Sequence, residues 1–133
     1  MIITLGWNST PHEKHIFISQ LIYFWNMAST NLIIELRRQQ RKIEEALNDL
    51  LEQKKRIDER YASLMNEENK IYDEIHKCRD MYQYDRLQMR LSVISNQRKT
   101  IEQEKNEIEK KIRGYEEELE RIKRRIEYLT PRG

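Results

Sequence analysis

Leu36, Ile43, Leu50, Ile57, Leu64, Ile71 and Cys78 recur at every seventh position, and so do Leu87, Ile94, Ile101, Ile108, Tyr115, Ile122 and Leu129. Apolar residues spaced by seven over this many repeats are the signature of a coiled coil. The companion column, four residues on, is mixed. Leu47, Tyr61, Ile75 and Tyr82 belong to the first series, and Leu91, Ile112, Leu119 and Ile126 to the second. Gln40, Lys54, Glu68, Arg98 and Lys105 interrupt it. One column is solid and the other patchy, so a seam of modest stability is expected.

Cys78 and Leu87 are nine residues apart, which breaks the repeat. At about 100° per residue this places the two stripes half a turn out of alignment in one straight helix. Chain reversal restores the alignment. The expected fold is therefore all-α, a long two-helix antiparallel coiled-coil hairpin with a poorly structured N-terminal segment. Its arms span about 31–78 and 87–129 and its turn about 79–86. Ile71 then lies near Leu91 and Ile94, Leu50 near Tyr115 and Leu119, and Leu36 near Leu129. The turn contains neither Gly nor Pro. A straight parallel dimer, with Met89 and Val93 bridging the stripes, stays open as the alternative.

Between Asn31 and Thr130 only Gly114 disfavours helix appreciably, by about 1 kcal/mol relative to Ala. Pro131 ends the run, because the residue before a proline is pushed out of the helical region. Charged residues make up 36% of the chain, too many for a conventional globular core, yet the apolar minority is regularly placed. The net charge of +2 gives no excess that calls for nucleic acid.

Composition changes near residue 30. Residues 1–30 hold two charged side chains, Glu13 and Lys14, together with both Trp and both Phe. This segment shows no lasting period. It reads either as a membrane-seeking or partner-binding arm built on Ile16, Phe17, Leu21, Ile22, Phe24 and Trp25, or as an extension, non-native or disordered, ahead of a start at Met27. The mostly apolar run Ile16–Met27 is 12 residues long, against about 20 for a membrane span. No membrane insertion is expected, and the cytoplasm is the expected compartment.

No residue pattern here carries chemistry. His12 and His15 have helical metal-ligand spacing but no further ligands follow. His76 and Cys78 are two apart and do not share a helical face. The chain has no Gly-rich phosphate loop, nucleophile elbow or paired-carboxylate cleft. We expect no enzyme, no metal and no cofactor. Two surfaces remain as partner sites. Arg37, Arg38, Arg41 and Lys42 would meet Arg121, Lys123, Arg124 and Arg125 at the open end, either as a solvated face or as a dock for an acidic protein surface. Met81, Tyr82, Tyr84, Leu87, Met89 and Leu91 cluster at the turn, some to seal the hairpin and some to form a partner patch.

Read from Met27, the chain resembles the FliJ/YscO/InvI family of type III secretion and flagellar export stalk proteins. The likeness rests on the opening Asn31-Leu-Ile-Ile-Glu-Leu-Arg-Arg-Gln-Gln-Arg-Lys, on the length, and on Tyr84-Asp-Arg-Leu87-Gln-Met-Arg-Leu91-Ser-Val-Ile94. It covers most of residues 27–130, and any charged coiled coil matches much of it. The resemblance implies a cytoplasmic rod, peripheral at the base of a secretion apparatus, that couples a hexameric export ATPase to the export gate; chaperone escort is also attributed to members. It assigns Tyr84, Leu87, Leu91 and Arg98 to the gate and Arg37, Arg38 and Arg41 to the ATPase. The first 26 residues have no counterpart in that pattern. A prefoldin-like chaperone subunit or a generic coiled-coil scaffold is the alternative.

Overall fold

The computed structural model describes residues 11–131. It contains two helices, α1 (Pro11–Lys77) and α2 (Met81–Leu129), and no strand among the described residues. The two pack against each other as a helical hairpin. Both heptad columns face inward. Every residue in them, from Leu36 to Cys78 and from Leu87 to Leu129, is buried or half-buried, including the five polar interruptions. A straight helix would have left one stripe in solvent, so chain reversal is what the nine-residue interval encodes.

The chain divides into two compact units. Within Ile43–Leu119, Ile71, Leu87 and Ile94 form a buried cluster against which Leu64, Ile75, Cys78 and Leu91 pack. Ile43, Ile101 and Ile112 are buried further along. Each such side chain contributes about 1.5–3 kcal/mol on full burial. Leu50 and Tyr115 line one shallow groove, as the expected register requires. Cys78 packs there as a small hydrophobe, which is the usual behaviour of a free cysteine at a core position.

The other unit joins Met1–Lys42 to Glu120–Gly133. Leu36, only 2% exposed, and Ile122 are buried within it. N-terminal to Leu36 burial stops: of residues 11–35 only Ser29 and Ile33 are even half-buried.

Two boundaries differ from the sequence expectation. The break between helices is three residues, Cys78-Arg79-Asp80, rather than 79–86. Asp80 is the cause. Its carboxylate accepts the Tyr82 N–H at 3.3 Å and its carbonyl accepts the Tyr84 N–H at 2.9 Å, the geometry of an N-cap. The Cys78 N–H closes the last turn of α1 onto the Ile75 carbonyl at 3.2 Å. Tyr82 therefore belongs to α2, where it is exposed, and not to the core of the first series. The second difference lies at the N-terminus. Residues 11–30, expected within a poorly structured extension, are helical; residues 1–10 lie outside the described residues. Pro11 suits a first helical position, Glu13 complements the helix dipole, and no Gly or Pro intervenes before Lys77.

Gly114 sits mid-helix without a left-handed φ, and a Cβ built on it meets nothing within 4 Å. Gly114→Ala should therefore raise stability by about 1 kcal/mol, read as a higher urea midpoint at unchanged slope. An unchanged or lowered midpoint would show that the groove beside Gly114 needs the space that a methyl would fill.

Candidate partner-binding surfaces

The patchy column turns out to be paired. Glu68 lies almost fully buried in the seam, and its carboxylate accepts the Arg98 Nε–H at 2.6 Å. Ser95 Oγ approaches the same carboxylate at 3.4 Å, and Arg98 also reaches Glu102 at 3.5 Å. Seven residues further from the loop, Lys105 Nζ lies 3.2 Å from Asp58 and 5.3 Å from the centre of the Tyr61 ring. Lys54 stands 3.9 Å from Glu109. Except for Arg98–Glu102, which lies along α2, these contacts cross from α1 to α2 and specify one register.

The hydrogen bond to Glu68 holds the Arg98 guanidinium above its usual range, and Asp58 does the same for the Lys105 ammonium. A raised lysine stabilises fully below its ordinary pKa and loses that contribution as pH climbs through the raised value.

The residues assigned to a gate by resemblance are not one surface. Leu87 is buried and Leu91 half-buried in the cluster near the loop. Arg98 faces Glu68. Only Tyr84 is exposed, its hydroxyl accepting from Gln88 Nε2 at 3.0 Å. What α2 presents outward near the loop is a different set: Met81, Tyr82, Met89 and Val93, more than half exposed. Tyr82, Met89 and Val93 are spaced by seven and four, so they share the helical face away from the seam. The sequence places Met81, Tyr82 and Met89 at the tip, and gives Val93, like Met89, only the role of a bridge between stripes. Its distance from both heptad columns is the signal that marks it as outward.

The residues that the resemblance assigns to an ATPase lie on the surface. Arg37, Arg38 and Arg41 are exposed on α1, and Arg121, Lys123, Arg124 and Arg125 on α2, within the same unit. Arg38 has Glu35 at 3.9 Å and Arg124 has Glu120 at 3.5 Å, solvent-screened pairs along each helix.

His12 and His15 are exposed in the first turns of α1, and the His15 ring has Ser19 Oγ at 3.5 Å. Among the described residues no three His, Cys, Asp or Glu converge as a metal site would require. No helix among them is long and apolar enough to cross a membrane. No protein-family model matches the chain, and neither a curated protein nor a solved structure matches it.

The seam pair gives Arg98 a structural role that a double substitution exposes. Arg98→Ala leaves Glu68 without its charged partner and should lower the urea midpoint. Glu68→Leu with Arg98→Leu should restore or exceed the starting stability, because apolar replacements of enclosed ion pairs are often neutral or better. Urea denaturation of the three variants decides it; an Arg98→Ala midpoint equal to that of the parent would show that the pair contributes nothing.

Proposed function

We propose that this chain is a non-enzymatic coiled-coil stalk that couples a hexameric secretion ATPase to an export gate. The reading joins the resemblance to the FliJ/YscO/InvI family with one structural observation. Two basic clusters distant in sequence, Arg37, Arg38 and Arg41 on α1 and Arg121, Arg124 and Arg125 on α2, belong to a single compact unit. Such a surface suits an acidic protein partner, since like charges from two helix ends reinforce one field.

On this reading the ATPase meets that unit and the gate meets the loop region. Tyr84 contacts the gate from the surface, while Leu87, Leu91 and Arg98 hold the helix that presents it. Secretion chaperones are further partners, and the site of action is the cytoplasmic base of the apparatus. The prefoldin-like alternative loses support, because that architecture places β-hairpins between its arms and here three residues join them. A generic scaffold stays as the competing reading.

Replacing Arg37, Arg38 and Arg41 together by Glu should weaken capture by the ATPase by tenfold or more while helicity by circular dichroism is retained. The same variant should impair secretion. Capture that survives the charge reversal would place the ATPase contact elsewhere and remove the main support for the stalk reading.

A further inference from the structure

From residue 16 to residue 34, α1 carries no Asp, Glu, Lys or Arg. Phe17, Leu21, Phe24 and Leu32 follow one another by four, three and eight residues, which stacks them on one helical face with Ile18 and Trp25 beside them. Ser19, Asn26 and Thr30 form a narrow polar strip on the opposite face, flanked by the exposed Ile16, Ile22, Tyr23 and Ile34. None of the apolar six is covered. Phe17 is 62% exposed, Phe24 60% and Trp25 64%. With about 150–250 Å² per aromatic side chain, these three alone expose on the order of 400 Å². Adding Leu21, Ile18 and Leu32 takes the strip beyond what the surface of a soluble monomer ordinarily leaves open.

Charge says what covers it. The unit formed by Met1–Lys42 and Glu120–Gly133 contains 10 basic and 4 acidic residues, whereas Ile43–Leu119 contains 15 basic and 19 acidic. The chain's near-neutral total therefore hides a strongly cationic unit around the apolar strip. Arg37, Arg38, Arg41 and Lys42 begin within one turn of its end, all exposed. Joining two copies of this arm would bring two cationic units together, at a repulsive cost. A negatively charged surface would instead gain from both features. The segment is nevertheless not apolar enough to cross a bilayer. An aromatic face, a narrow polar strip and adjacent cations, without the hydropathy of a span, suit a helix that lies in a membrane interface.

We infer that residues 16–34 of α1 form an interfacial helix that docks this chain on an anionic lipid surface, its aromatic face entering the headgroup boundary and the neighbouring arginines and lysines engaging headgroup phosphates. This goes beyond the stalk reading. The two separate experimentally, because the apolar substitutions below leave every arginine in place.

The experiment is co-sedimentation of the full chain with phosphatidylcholine vesicles, with and without phosphatidylglycerol. Binding should be at least tenfold tighter to the anionic vesicles and should fall as salt is raised from about 0.1 to 0.5 M, as the Debye length shrinks. In a Trp7→Phe background, Trp25 emission should shift to the blue on binding. Phe17→Ser, Phe24→Ser and Trp25→Ser combined should lose at least tenfold in vesicle binding while keeping helicity and ATPase capture. Equal binding to neutral and anionic vesicles, or undiminished binding by the triple variant, overturns the inference. So does a dimer in sedimentation equilibrium that the triple variant converts to monomer without any vesicle binding, which would make a second copy the occupant.

Discussion

Two helices that face each other through a single apolar column spaced by seven have little reason to prefer one register. Sliding one past the other by seven residues would still set Leu and Ile against Leu and Ile. The polar column removes that freedom. A heptad slip in one direction would leave the Glu68 carboxylate opposite Leu91, and in the other it would exchange Arg98 for Lys105 and set Arg98 against Ile75. An enclosed charge without a partner costs far more than a lost methyl contact. The 2.6 Å bond from Arg98 to Glu68, with the Lys105–Asp58 contact further on, is what the remaining packing depends on. The three-residue loop acts with it, because any slip would have to unravel the Asp80 cap.

Those polar layers lower the apolar content of the seam and set its specificity, which is a known use of polar residues at coiled-coil core positions. They also alter how the residues assigned to a gate by resemblance are understood. Leu87, Leu91 and Arg98 occupy the seam, so a partner that touched them directly would have to open it. A partner that leaves the hairpin closed meets Met81, Tyr82, Met89 and Val93 instead. Aromatic and Met side chains of this kind, grouped on one helical face, offer the contact area on which protein interfaces usually depend.

The distribution of charge is as informative as the seam. A total of +2 conceals one cationic unit and one acidic unit, and the exposed aromatic strip lies in the cationic one. Cationic charge is thus concentrated in the unit that holds both chain ends, while the unit that holds the loop carries more acidic than basic residues.

Sequence alone determined the helices from Asn31 onward and the two inward columns, and it favoured the reversal. Heptad spacing is a local property, and turning the chain is the simplest way to reconcile a nine-residue interval with it. The start of α2 was legible too, in Asp80 followed three residues later by Gln83, although the absence of Gly and Pro masked it. Only the tertiary structure decided which polar residues face one another. Glu68 and Arg98 are thirty residues apart, and in sequence each registers as an interruption; pairing depends on the register, which no single helix encodes. Exposure of residues 16–32 was likewise undecidable from the chain, because an apolar face is covered or bare according to how far its partner helix extends. Here α2 ends at Leu129, Leu36 is buried, and the aromatic residues before it are left open.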